Sequence, residues 1–186
     1  TTSGLAAKYS ASRVFDTPAS EAAMTGVALG AALDGLRPVL VHQRMDFMPY
    51  TMDQLVNWAA LWRFKSGGRS SMPFTIRAVV GKGWGQGHQH AKSLQAWFAH
   101  VPGLTVAMPS SAFDVKGLLL SAIFGQNPCI FIEGRPLFNM TEDVPTEPYR
   151  IPFGKAAVKT SGQDVTIVSS GYMVPLALRA AQTLIS

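Results

Sequence analysis

Short apolar runs of strand length alternate with segments of helical period along most of this chain, and a chain patterned that way buries itself as a parallel sheet flanked by helices. Strands are expected at residues 13–16, 38–41, 74–80, 104–107 and 129–133, and helices at 21–34, 52–64, 92–100 and 112–124. Ser20 is placed to cap the first helix and Gly35 to end it, while Gly67 and Gly68 end the second. After Gly134 the character changes. Pro136, Pro145, Pro148 and Pro152, mixed with Glu142, Asp143 and Glu147, read as a surface connector. Beyond it, residues 164–169 read as a new strand and 173–185 as a new helix, too little material to bury both faces of a sheet. The expectation is a three-layer α/β domain over residues 1–134, a connector over 135–162, and the start of a second α/β domain over 163–186.

Composition narrows the function classes. The 186 residues are 47% hydrophobic and 15% charged, as in ordinary globular domains. No apolar run approaches the roughly 18 to 20 residues of a bilayer crossing, so a membrane span is not expected. The net charge of +5 comes from scattered basic residues, with only Arg63, Lys65 and Arg69 loosely grouped. Without a basic stripe or aromatic ladder, nucleic acid is not an expected partner. The single cysteine, Cys129, excludes an internal disulfide and sits in an apolar run, where a buried strand thiol is the simplest reading.

Candidate chemistry gathers after the expected strands, where open α/β sheets bind ligands. Gly81, Gly83, Gly85 and Gly87 space a loop that lacks both the dinucleotide fingerprint and a Walker lysine. His88, Gln89 and His90 follow directly. With His100 they invite a zinc reading, but no fixed ligand spacing supports it, and an acid–base imidazole fits better. Glu21 opens a helix of small apolar residues. Such a carboxylate either complements the helix dipole or, in a buried helix, works as a tuned acid–base group. Phe47, beside Asp46, is either a core residue or a stacking wall for a ring ligand. No nucleophile elbow is present.

Ordered landmarks extend these fragments along nearly the whole chain: Val14-Phe15-Asp16-Thr17-Pro18-Ala19-Ser20-Glu21, then Ala32-Leu33-Asp34-Gly35-Leu36-Arg37-Pro38, Met52-Asp53-Gln54 and Ser66-Gly67-Gly68. Phe98-Ala99-His100-Val101-Pro102-Gly103-Leu104, Lys116-Gly117-Leu118-Leu119-Leu120-Ser121-Ala122-Ile123, Asn127-Pro128-Cys129-Ile130-Phe131 and Val144-Pro145-Thr146-Glu147-Pro148-Tyr149 complete them. The series resembles the β subunits of 2-oxo acid dehydrogenase E1 components, of the branched-chain, pyruvate and acetoin types.

The resemblance implies a pyrimidine-binding domain for thiamine diphosphate. Glu21 matches the glutamate that contacts the aminopyrimidine, Phe47 its aromatic neighbour with Gln43 close by, and His90 the histidine of proton handling and acyl transfer. It further implies oxidative decarboxylation of a 2-oxo acid, an E1 α subunit in an α2β2 assembly, and a lipoyl-bearing E2 acceptor. The compartment would be the cytoplasm of a bacterium or the mitochondrial matrix of a eukaryote. The chain contains no Gly-Asp-Gly, the motif that holds diphosphate and Mg2+, so those groups are expected on an α subunit or on a further domain outside this sequence. A potassium ion is implied through the backbone of Phe74, Ala122, Ile123, Gly125 and Asn127, with Gly125 replacing a common acidic residue. Two other departures lie near the substrate side: Arg44 after Gln43, and Ala91-Lys92 after His90 in place of Ser-Gln. Two further readings stay open, another transketolase-like synthase or transferase and a noncatalytic homologue acting as a structural or regulatory subunit.

Overall fold

The computed structural model describes residues 2–81 and 85–185. Its centre is a four-stranded parallel sheet in the order β1 (Val39–His42), β2 (Thr75–Val80), β4 (Cys129–Gly134), β3 (Thr105–Ala107). Register places Val39 beside Thr75, Thr75 beside Cys129, and Thr105 beside Cys129. Central parallel strands are covered on both faces and therefore read as unbroken apolar runs. All six residues of β4 are buried accordingly.

The two faces hold separate clusters. Ile76, Ala78, Val80, Ile130 and Ile132 meet Ala28, Leu29, Met45, Met48, Leu55, Ala59 and Phe98 on one side. Cys129, Phe131 and Ala107 meet Ala122, Leu118 and Leu119 on the other. The first side is built by α2 (Glu21–Leu33), a 3-10 turn over Met45–Thr51, a π-helix over Asp53–Ala59 running into α3 (Ala60–Lys65), and α4 (Gln95–Ala99). The second is built by α5 (Ala112–Ile123). The three-layer α/β expectation therefore holds. Among the described residues no helix is long and apolar enough to cross a membrane.

One ion pair lies inside the sheet. Glu133 stands two residues past Phe131, the register partner of Arg77, so both side chains share a face. Arg77 Nε donates to Glu133 Oε1 at 2.5 Å, with side chains 15% and 8% exposed. Arg77→Met should cost about 3 kcal/mol in urea unfolding, because it strands a buried carboxylate. Adding Glu133→Leu should recover most of that loss. A single variant as stable as the parent would show that the pair is solvated.

Several expectations change. Residues 13–16 form no strand: Arg13 and Val14 amides fold back onto Ser10 O, and Phe15 is 66% exposed. A short unforeseen helix, α1 (Leu5–Tyr9), precedes them. The loop expected around Phe47 is a 3-10 turn, because Met45 and Met48 are drawn completely into the core. The helix expected over 92–100 is only α4, since the Lys92 amide bonds Asp46 and the Leu94 amide bonds the Met45 sulfur. Gly35 ends α2 as expected, with φ 93° and its amide on Ala32 O, but the Ser20 side chain makes no cap.

The connector lies along α5. Lys116 Nζ bonds the carbonyls of Pro145 and Thr146, Tyr149 stacks on Phe113, and Ser121 Oγ donates to Ile151 O at 2.7 Å. Gly117 lets Ile151 approach, since a Cβ there would meet its Cγ1 at 2.6 Å. Residues 164–169 are in no sheet, contrary to expectation, and Val165 and Val168 are 69% and 92% exposed. A strand exists only where a neighbour completes its hydrogen bonds. The helix expected beyond them is present as α6 (Met173–Ile185).

Candidate functional site

Because the strands are parallel, their C-terminal ends share one edge of the sheet, the usual ligand edge of such folds. β1 delivers His42 and Gln43 there, and β2 delivers Gly81 and the glycine run. Within that run Lys82, Gly83 and Trp84 lie outside the described residues. A helix joined by a short turn to the following strand runs antiparallel to it. The N-terminus of α2, and with it Glu21, therefore comes to the same edge.

Glu21 is half-buried, and no described residue hydrogen-bonds its carboxylate. The remainder of α2 is less enclosed than its composition suggested. Thr25, Ala28, Leu29 and Ala32 face the core, while Val27 and Leu33 stay 63% and 40% exposed. The apolar outward face is the reason the sequence looked fully buried.

His42 is a residue that sequence reading passed over. It is 6% exposed, and among the described residues its Nε2 has no hydrogen-bond partner. Burial pushes its pKa down from 6.5, with the Glu21 charge pulling weakly the other way. The only signal in the sequence is a polar residue ending an apolar strand. A buried neutral imidazole stabilises the fold above the unfolded-state pKa, and that stability is lost as pH falls below about 6.5. His42→Phe should therefore unfold at a urea midpoint less dependent on pH between 7.5 and 5.5. Equal pH dependence in both proteins would mean that His42 is freely protonated in the fold.

Phe47 and His90 come together. Their rings meet edge to face at 5.6 Å and 83°, both half-buried. His90 closes a 3-10 turn over His88–His90, entered through Gly85 and Gly87 at positive φ. The Met45–Thr51 turn that carries Phe47 packs against α2 on one side and this histidine turn on the other. Gln43 stays exposed at the end of β1, its carbonyl accepting from Arg44 Nη1 at 2.6 Å.

The histidines do not converge. His88 and His100 are exposed, and among the described residues no three His, Cys, Asp or Glu side chains are grouped to hold a metal. The Cys129 thiol is buried, with its pKa pushed up to about 12, so it stays protonated and inert at neutral pH.

The pyrimidine of thiamine diphosphate would suit these residues: among the described residues, a carboxylate with no hydrogen bond, a buried imidazole nitrogen with no partner and an aromatic pair come to one edge. Potassium does not fit its implied set. Arg37 Nη1 already donates to Ile123 O at 2.9 Å and Gly125 O at 2.6 Å. Gly125 offers no carboxylate that would help hold a second cation beside that guanidinium.

The chain is 45% identical over 98% of its length to the acetoin:2,6-dichlorophenolindophenol oxidoreductase subunit beta of Cupriavidus necator, covering 54% of that protein. It is 41% identical over 98% of its length to the pyruvate dehydrogenase E1 component subunit beta of Staphylococcus epidermidis, covering 57%. The chain thus spans about half the length of the curated relatives it matches. A solved structure titled split gene transketolase, inactive beta4 tetramer, shares the fold at TM-score 0.78 and 23% identity, over 98% of this chain and 56% of that one. Residues 1–141 match the family described as the transketolase pyrimidine-binding domain, and the chain belongs to that family.

Proposed function

We propose that this chain supplies the pyrimidine side of a thiamine-diphosphate site in a 2-oxo acid dehydrogenase, as its E1 β subunit. The observation that carries the reading is the half-buried, unbonded Glu21 carboxylate at the strand edge that also holds Phe47 and His90. Thiamine diphosphate, when bound, supplies the electron sink for cleaving the bond beside a keto carbon. Glu21 would share a proton with the pyrimidine ring nitrogen, donating to it when the carboxyl holds the proton and accepting from the ring N–H once the proton has moved. Phe47 lines the ring with an apolar face, and Gln43 offers an amide at the mouth. His90 handles the substrate proton and then acyl transfer to a lipoyl-bearing E2.

Diphosphate and Mg2+ are assigned to an E1 α subunit of an α2β2 assembly, since no Gly-Asp-Gly occurs in this chain. The donor is a 2-oxo acid, with acetoin the alternative favoured by the identity to an acetoin-oxidising relative. The assembly would work in the cytoplasm of a bacterium or the mitochondrial matrix of a eukaryote. Pyruvate, branched-chain 2-oxo acids and acetoin are to be screened on the two-subunit protein with dichlorophenolindophenol. Dye reduction by one donor class is expected. No reduction with any donor, in an assembly that demonstrably binds the cofactor, overturns the reading in favour of a noncatalytic subunit.

A further inference from the structure

Two contacts bracket His90, and both join its loop to the residues that follow β1. Before the histidine, Arg44 donates to Gln86 Oε1 from Nη2 at 2.8 Å and from Nε at 3.3 Å. After it, Lys92 approaches Asp46 Oδ1 with both its amide, at 3.2 Å, and its ammonium, at 3.3 Å. The Asp46 carboxylate is only 3% exposed, so its charge requires this partner. Phe47, next in sequence, meets the His90 ring itself.

Gln86 has a second role. Its backbone carbonyl lies 3.2 Å from His90 Nδ1. A carbonyl can only accept, so Nδ1 carries the hydrogen and Nε2 of the neutral ring keeps its lone pair for proton transfer. Arg44 thus grips the residue that selects the histidine's tautomer. Arg44 and Lys92 are also among the places where the sequence departs from the pattern it otherwise resembles. Across the fold each has found a partner on the opposite segment.

We propose that Arg44–Gln86 and Asp46–Lys92 form a two-point clamp that fixes the position and the Nδ1–H tautomer of His90. These four are positioning residues, and the inference rests on the catalytic role of His90 proposed above. Small misplacements of a reacting group are costly, so loosening either contact should slow the step that uses His90 by about tenfold.

The test is a mutant cycle on the two-subunit enzyme, read as single-turnover rates and as the pH profile of kcat. Arg44→Met and Lys92→Met should each slow turnover about tenfold with cofactor affinity unchanged, and Lys92→Arg should lose less. In a His90→Ala background the same two substitutions should have no further effect, because what they position is gone. Nitrogen-15 shifts of the imidazole give a readout independent of activity. The parent should show the Nδ1–H form, and Arg44→Met should mix in the Nε2–H form. Full additivity with His90→Ala, or an unchanged tautomer in Arg44→Met, overturns the clamp. If His90→Ala itself turns over at the parent rate, the histidine's catalytic role fails instead, and the two failures are distinguishable.

Discussion

Glu21→Gln should lower kcat of the assembled enzyme by at least about a hundredfold while costing no more than about 1 kcal/mol of stability. The magnitude is that of removing a general acid–base contribution. Glutamine keeps the shape and one acceptor of the side chain but cannot hold the shared proton. The fold should tolerate the change because no described residue hydrogen-bonds the carboxylate, and Glu21 is only half-buried. The lost favourable contact with the helix N-terminus is worth roughly 0.3 to 1 kcal/mol. Glu21→Asp separates charge from reach: it keeps the proton but shortens the arm, and should fall between parent and glutamine. Parent-like turnover in Glu21→Gln would remove the carboxylate from the mechanism.

The sheet was legible because burial writes itself into sequence. β2 and β4 are covered on both faces, so their apolar runs could be placed to within a residue or two. Residues 13–16 and 164–169 carry the same apolar signal and yet form no strand. A strand is a relation between two segments, and pattern within one segment cannot report whether the other is there. Met45 and Met48 misled for the opposite reason. They lie among polar residues and Pro49, which read as loop, while tertiary burial imposed a 3-10 turn.

The candidate site divides along the same line. Glu21, Phe47 and His90 were reached through the family resemblance, and the fold brings Phe47 against His90. What surrounds them was not legible. Asp46 meets Lys92 across 46 residues, and Arg37 reaches Gly125 across 88. Such pairs are created by the crossover of β1 and β2 and by the packing of α5, not by local spacing. His42 lacked any partner in sequence to mark it, and only its burial beside Glu21 singles it out. The proposed clamp also gives Arg44 and Lys92, departures near the substrate side, a common part as anchors for one loop.

Thiamine diphosphate should bind this chain alone only weakly, and tightly once an α-type subunit is added. The diphosphate and its metal are the most polar part of the ligand, and they require oxygen ligands of suitable number and geometry. This chain offers an aromatic ring, a carboxylate and imidazoles at the relevant edge, which suit the pyrimidine but supply no recognised oxygen-ligand set for the metal and diphosphate. Anchoring through the ring alone leaves the larger part of the binding energy unrealised. The surface points the same way. Val27 on α2, Trp58 and Phe64 on the helices after β1, and Tyr50 beside them are 63%, 48%, 85% and 69% exposed. Large apolar side chains left in water across several elements mark a protein–protein interface rather than a solvated face. Calorimetry with cofactor and Mg2+, with and without the partner chain, measures the difference directly. The expected result is at least a hundredfold tighter binding in the assembly. Micromolar affinity for the isolated chain would locate a diphosphate site within these residues, and the division of the cofactor between two subunits would have to be abandoned.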